Sequence, residues 1–433
     1  MRRSPALDAV TGDGGLGTVL RRTRRFLTWV SAPDRVNNRN VKQEGAQARS
    51  SERPLTVVYV AGIGRTGSTV LGELLDRLPD VAFVGELSLF WCRYARRDLC
   101  SCGRPLPECD FWSAVVRRGF GELPPGRAED LERLERRVRR RHAPQMLVSR
   151  RWASRSKSPA IRELLGERSR LYRAVSEVAR SSWVVDTGKD PVYGASLMPL
   201  DGAAVVIVHL VRDPRGVAYS SSKRVRSDSE PGEMLRLSAV AAAWQWLTKN
   251  LVVQIALRRL APRYVRVRYE DLVADPDGCL LQIADAADLP IADPRAAVER
   301  LALPPQDHHM VAGNPGVRRR GGVLRLSLDE EWRAGLPARD RRLVTCICAV
   351  PMAIYGYGLR GRPASGGGHG PRHRDSADRP EQEPAYAFDG QREDAGAEVA
   401  VSAGPGREYA DVHIRARRSW LSRRLRPQRS ATK

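Results

Sequence analysis

Four apolar runs rich in β-branched residues stand out along the middle of the chain: Leu55–Ala61, Trp183–Asp186, Ala203–Val211 and Tyr264–Tyr269. They are apolar at almost every position instead of at every second one, the pattern of strands buried on both faces of a parallel sheet. Helical periodicity follows each, over Ser68–Leu78, Tyr193–Leu200, Val217–Arg224 and Asp277–Ala287. A shorter stretch, Val81–Val84, leads into Gly85-Glu86 and predicts one more strand end. Strand, loop and helix in series predict an α/β fold, a parallel sheet flanked by helices, whose ligands sit at the carboxyl ends of the strands.

Residues 124–180 interrupt this alternation with a charged helical insertion that includes Glu129-Asp-Leu-Glu-Arg-Leu-Glu-Arg-Arg-Val-Arg-Arg-Arg. It is expected to cap the sheet or form a lid, with a plain surface helix pair as the alternative. A second helical run, Leu235–Leu260, carries Trp244 and Trp246 at positions that read as packing. The ends differ from the middle. Residues 1–53 hold Gly-Asp-Gly-Gly at 12–15 and one short basic segment, Thr18 to Val30; from Gly361 the chain is poor in aliphatic residues, and its last stretch from Arg415 has eight basic side chains and no acidic one. The expected organisation is a basic arm over 1–53, one α/β domain over 54–360 and a tail over 361–433, with both ends disordered.

Composition narrows the class. The chain has 433 residues and is 42% hydrophobic, enough for a sizeable core. No apolar run reaches the roughly 18 residues of a membrane span, which excludes a multipass membrane protein. The first residues lack the apolar core of a signal peptide, and seven cysteines are too sparse for a disulfide scaffold, so a cytoplasmic location is expected. With 73 Lys+Arg against 50 Asp+Glu the formal charge is +23, which calls for an anionic partner.

The anion has an obvious place. After the first strand the chain reads Ala61-Gly62-Ile63-Gly64-Arg65-Thr66-Gly67-Ser68-Thr69, a glycine-rich turn opening into a helix. Amides freed at a helix N-terminus, approached closely because of the glycines, bind phosphate. Gly62 and Gly67 have the spacing of the nucleoside-triphosphate P-loop, but Ser68 stands where that loop has its lysine. Triphosphate cleavage is therefore disfavoured. The cation has moved to Arg65, with Thr66, Ser68 and Thr69 as hydroxyl partners for a terminal phosphate. A second anion site follows the third run, where Arg212 leaves a strand end and Ser220 comes two helical turns later.

Taken together, these two sites resemble the sulfotransferases that use 3′-phosphoadenosine 5′-phosphosulfate (PAPS). In that family a [KR]-[ST]-G-[ST]-T loop binds the 5′-phosphosulfate and an R-x-x-x-x-x-x-x-S pair binds the 3′-phosphate. Arg65-Thr66-Gly67-Ser68-Thr69 matches the first, and Arg212 with Ser220 the second. The likeness continues through Tyr269-Glu270-Asp271-Leu272 and Gly313-Asn314-Pro315 with Arg318 and Arg319, and covers roughly residues 54–360. It is closest to bacterial sulfotransferases and more distant from the protein-tyrosine sulfotransferases, which it resembles at Arg224, Tyr269 and Lys189-Asp190-Pro191. Bacterial relatives often show D-S-S-K where this chain has Asp186-Thr187-Gly188-Lys189, keeping the lysine and losing one hydroxyl.

The resemblance implies a P-loop-like sheet and transfer of a sulfuryl group from PAPS to a hydroxyl of a small-molecule, glycolipid or carbohydrate acceptor. The implied donor-binding set is Gly64, Arg65, Thr66, Gly67, Ser68, Thr69, Arg212, Ser220, Arg224, Tyr269, Arg318 and Arg319. Arg65 and Lys189 are the candidates for stabilising charge on the leaving group. Glu86 is the candidate base, by likeness to a G-E-E segment with one residue of slack in the preceding turn. His209, inside an apolar strand, reads as a satisfied core histidine, and His308-His309 as a loop pair. Cys92, Cys100, Cys102 and Cys109 lack the usual C-x-x-C zinc spacing, and Cys346 and Cys348, in an apolar helix ending at Pro351, read as core. No metal is assigned. No base-reading motif accompanies the arginines, so no specific nucleic acid is expected; the basic ends leave room for peripheral membrane contact. Two other classes compete, a P-loop-related nucleotide kinase and a non-catalytic basic adaptor.

Overall fold

A computed structural model of the chain describes residues 55–154, 158–223, 236–302, 309–313 and 326–359. The arm and the tail, with Arg224, His308, Asn314, Arg318 and Arg319, lie outside the described residues.

The apolar runs are the strands of one sheet: β1 (Leu55–Gly62), β2 (Val81–Gly85), β3 (Trp183–Lys189), β4 (Ala203–Val211) and β5 (Arg263–Arg268). All neighbouring pairs are parallel, in the order β2-β3-β1-β4-β5. With β1 in the centre, the next connections run to one side and then the other. The crevice at its carboxyl end is the switch point where such sheets bind ligands.

Both faces are covered, which is why the strands read as continuous apolar runs. On one face Val57 and Tyr59 of β1 pack against Leu131 and Val138 of α4 (Arg127–Val148) and Leu171 and Tyr172 of α5 (Pro159–Ala179). Before these in the chain come α2 (Phe90–Ala95) and α3 (Asp110–Phe120), which bring Phe90, Trp91 and Trp112 to the same core. The helical insertion is therefore a packed layer over the sheet. On the other face Val58 and Val60 meet Leu71 and Leu74 of α1 (Ser68–Leu75).

The chain continues from β3 through α6 (Pro191–Ser196) to β4, then α7 (Pro214–Ser222) and α8 (Ala239–Val252), which runs on through a π-helical turn to Leu260. After β5 come α9 (Tyr269–Ala274), α10 (Pro276–Ala287), α11 (Pro294–Glu299), α12 (Trp332–Gly335) and α13 (Ala338–Ile354). Ile283 and Leu280 of α10 complete the second face. Behind the end of β4, Val211 and Val217 pack with Trp246 of α8 and with Val344, Cys348 and Met352 of α13. No described helix is long and apolar enough to cross a membrane.

Several expectations need correction. Strand β3 extends three residues past Asp186, and α1 stops at Leu75, short of Leu78. Helix α13 passes through Pro351 to Ile354. Cys348 is buried, but Cys346 is exposed, because two residues along a helix turn a side chain by roughly 200°. Trp246 is fully buried, whereas Trp244 is 46% exposed for the same reason.

Candidate active site

The carboxyl ends of the five strands carry the candidate residues in sheet order. At the centre, β1 delivers Gly62, whose φ of 146° and closeness to the Leu210 carbonyl leave no room for a side chain. The loop then turns through Arg65, in the left-handed region at φ 67°, and Gly67 at φ 85°. A Cβ on Gly67 would come within 2.6 Å of the Tyr269 ring. Thr66 donates its hydroxyl to the Ile63 carbonyl at 2.8 Å, which braces the turn. Ser68 and Thr69 are buried in the first turn of α1, where the helix's first amides lack intrahelical partners. Burial pulls the Arg65 guanidinium below its usual range, the response of a cation partly removed from water.

On one side, Arg212 directly follows β4. Its guanidinium donates to the Arg65 carbonyl at 3.1 Å, stacks on the Tyr269 ring at 4.6 Å, and pairs with Asp329 at 2.9 Å. Trp246 donates to the Arg212 carbonyl at 2.9 Å and holds the strand end. Ser220 lies half-buried on α7, whose first turn is capped by Asp213. Tyr269 is held through its hydroxyl, which donates to the Ser327 carbonyl at 3.1 Å. Its neighbour Glu270 accepts from the Asp213 amide at 3.0 Å and from Tyr357 at 2.7 Å. The Tyr269-Glu270 pair is thus a brace between β5 and the Arg212 turn.

On the other side lie β3 and β2. Lys189, at the end of β3 and opposite Ala61 in register, forms an ion pair with Glu86, which follows β2. Lys189 also adopts a left-handed φ of 59°, so both candidate leaving-group cations occupy backbone positions that L-residues rarely take. Register shifts re-aim both strand ends: β3 gains a residue against β1 after Asp186, and β2 gains one against β3 before Gly85. Fully buried Asp186 fixes the two turns together, accepting from the Gly188 amide at 2.8 Å, the Leu87 amide at 3.3 Å and the Tyr172 hydroxyl.

With that geometry in place, comparison with known proteins decides the family. A model of the sulfotransferase family matches residues 58–293, more than half of the chain. The chain belongs to the sulfotransferase family. Membership makes it one of the transferases of sulfuryl groups, for which PAPS is the implied donor. Among curated relatives, mouse carbohydrate sulfotransferase 2 is 25% identical over 72% of this chain and 67% of its own length. The human protein of that name is 25% identical over 70% and 65%. Human carbohydrate sulfotransferase 6 is 27% identical over 35% and 41%. About a third of each of the first two relatives lies outside the match. Among solved structures, sulfotransferase STF9 from Mycobacterium avium matches 72% of this chain and 79% of that one at 18% identity and a TM-score of 0.37. The sulfotransferase domain from the curacin biosynthetic pathway matches 69% and 98% at 17% identity and a TM-score of 0.38.

For a sulfotransferase-family chain the remaining residues sort clearly. His209 is fully buried between the Tyr264 hydroxyl at 2.7 Å and Asn250 Oδ1 at 2.8 Å, and burial pushes its imidazole down to about 3. It is a neutral core residue. Arg139, on α4, pairs with Asp190 at 3.0 Å and with Glu135 at 3.3 Å, so it ties the insertion to the end of β3. Lys249, on α8, is a residue that sequence reasoning missed. Burial holds its ammonium below the usual lysine range; Asp190 and Glu86 oppose that shift, and Lys189 adds to it. Asp329 and Lys249 carry no local motif, and only the folded chain brings them to the strand ends. His309 stands in a third place, beside Cys100 and Cys109.

Proposed function

We propose that the chain transfers a sulfuryl group from PAPS to a hydroxyl of a carbohydrate, glycolipid or other small acceptor. The observation that carries this reading is the contact between the two anion sites: Arg212 donates to the carbonyl of Arg65, so one ligand with phosphates at both ends fits the pair. In this reading the loop amides, Gly64, Arg65, Thr66, Gly67, Ser68 and Thr69, hold the 5′-phosphosulfate. Arg212, Ser220 and Tyr269 hold the 3′-phosphate, and Arg224, Arg318 and Arg319 complete the donor site.

The chemistry follows from charge placement. The acceptor oxygen forms a bond to sulfur as the bond from sulfur to the 5′-phosphate oxygen breaks, leaving 3′-phosphoadenosine 5′-phosphate. Sulfuryl transfer, like phosphoryl transfer, needs in-line positioning and neutralisation of the leaving oxygen. Arg65 and Lys189 supply the positive charge, and Glu86 takes the acceptor proton. The Glu86–Lys189 ion pair sets the candidate base beside a candidate leaving-group cation. The carbohydrate sulfotransferase relatives support a sugar hydroxyl among the acceptor classes. A cytoplasmic location belongs to the same reading, supported by a cysteine count too sparse for a disulfide scaffold.

Calorimetric titration of 3′-phosphoadenosine 5′-phosphate into wild type, Arg65→Ala and Arg212→Ala, with ATP and 5′-AMP as controls, tests the donor site. Micromolar binding, about −8 kcal/mol, that requires the 3′-phosphate and collapses in Arg212→Ala is the expected result. Equal affinity for 5′-AMP would overturn the assignment, and tight ATP binding would restore the kinase.

A further inference from the structure

Next to the segment that pairs with the end of β2, four donor atoms converge. Cys100 and Cys102 sit on a tight turn: Leu99 bridges Pro105, the Cys100 amide donates to the Arg104 carbonyl at 2.8 Å, and the Gly103 amide donates back to the Cys100 carbonyl at 2.9 Å. Gly103, at φ 86°, lets the chain reverse there. Cys109 comes from the N-cap of α3, where the helix's free amides favour an anionic side chain. His309 comes from a remote segment and stacks on Phe111 with centroids 5.1 Å apart and planes 4° apart, which fixes the ring.

The distances are those of a coordination shell. Cys102 Sγ is 3.7 Å from Cys109 Sγ; His309 Nδ1 is 3.2 Å from Cys109 Sγ and 3.8 Å from Cys100 Sγ. All four donor atoms lie within 4.8 Å of one another. A tetrahedral zinc with bonds of about 2.3 Å to sulfur and about 2.05 Å to nitrogen has sulfur–sulfur edges of about 3.8 Å and sulfur–nitrogen edges of about 3.5 Å. Three thiolates and an imidazole select zinc over magnesium or calcium, which take oxygen ligands. The C-x-C spacing hid this set because its fourth member lies 200 residues beyond Cys109.

We propose that Cys100, Cys102, Cys109 and His309 bind one zinc ion as a closed structural site, the three thiol protons passing to solvent as the ion enters. The site clamps the cysteine turn to segment 309–311, which is already joined to it by the Met310 amide donating to Ser101 Oγ at 2.8 Å. Val311 in turn pairs with the end of β2: its amide donates to the Val84 carbonyl at 3.0 Å, and its carbonyl accepts from the Glu86 amide at 2.7 Å. The ion therefore stiffens the backbone that carries Glu86.

The test is the metal content of the full chain, purified in reducing buffer without chelator and measured by plasma mass spectrometry. The expected result is about one zinc per chain in wild type and in Cys92→Ser, and less than about a tenth in Cys102→Ser and His309→Ala. Cys102 is exposed, so its serine variant keeps the core intact. Should a variant not fold, replacement of the metal by cobalt in wild type decides, through the intense visible bands of tetrahedral cobalt thiolate. Wild type produced with excess zinc that still carries no metal, or metal retained in both ligand variants, overturns the site. So does a Cys102–Cys109 disulfide that persists in the reducing buffer. None of these readouts depends on sulfuryl transfer.

Discussion

Gly188 lies in a crowded turn at the candidate site. A Cβ there would meet the Tyr59 hydroxyl at 3.0 Å, and Asp186 Oδ1 and Ser88 Oγ at 3.1 Å each. The nearest of these, the Tyr59 hydroxyl, is held in place by donating to the Asp190 carbonyl at 2.8 Å. Gly188→Ser should therefore crowd the turn, at a cost of roughly 1–3 kcal/mol visible in denaturant unfolding. Asp186 beside it gives a pH signature. Burial pushes its carboxyl up to about 7, above its unfolded value near 4. The folded state then binds the extra proton between those values, so this contribution is fully present below about pH 4 and is lost as pH rises through 7. His209 acts oppositely: with its imidazole pushed down to about 3, its contribution is complete above about pH 6.5 and fades on acidification. Asp186→Asn should gain stability relative to wild type on going from pH 5 to pH 8, measured as urea midpoints. An unchanged difference would show that Asp186 titrates normally. The catalytic assignment has its own expected outcome. Glu86→Gln should lower kcat by about 10²- to 10⁴-fold while 3′-phosphoadenosine 5′-phosphate binds as before in calorimetry.

At the scale of elements, the donor loop is held by contacts across three strands. Gly67 needs both its left-handed φ and the absence of a side chain against Tyr269. Gly67→Ala is expected to lose about 2 kcal/mol of stability and to weaken binding of 3′-phosphoadenosine 5′-phosphate at least tenfold by displacing Tyr269 from Arg212. Asp329 competes for the same guanidinium, so Asp329→Asn should tighten that ligand several-fold in calorimetry. Weaker binding would make Asp329 the group that aims Arg212. Strands β1 and β4 were legible because both their faces are buried and nearly every position is apolar. The end of β3 was not, since Asp186, Thr187 and Gly188 are buried yet polar, and their hydrogen bonds replace the apolar signal. The loop and Arg212 announced themselves by spacing. Lys249, Asp329 and His309 did not, because each reaches its partners only through tertiary packing.

For the whole molecule, the net charge of +23 gains a partial meaning. Arg65, Lys189, Lys249 and Arg212 gather near the strand ends of one sheet, with Glu86, Asp190 and Asp329 as their internal counter-charges. A polyanionic donor should bind this group more weakly as salt screens it, with the association constant falling several-fold between low and high ionic strength. Arg212→Ala should show a shallower salt dependence than wild type. The order of the sheet has a consequence for how such a molecule changes over time. Donor-side residues hang on β1, β4 and β5, while Glu86 precedes and Lys189 ends one unbroken stretch of chain that leaves after β2 and returns as β3. That stretch, with α2 to α5, is a cassette. If it shapes the acceptor side, its exchange with Glu86 and Lys189 retained should change the acceptor used while 3′-phosphoadenosine 5′-phosphate binds as before.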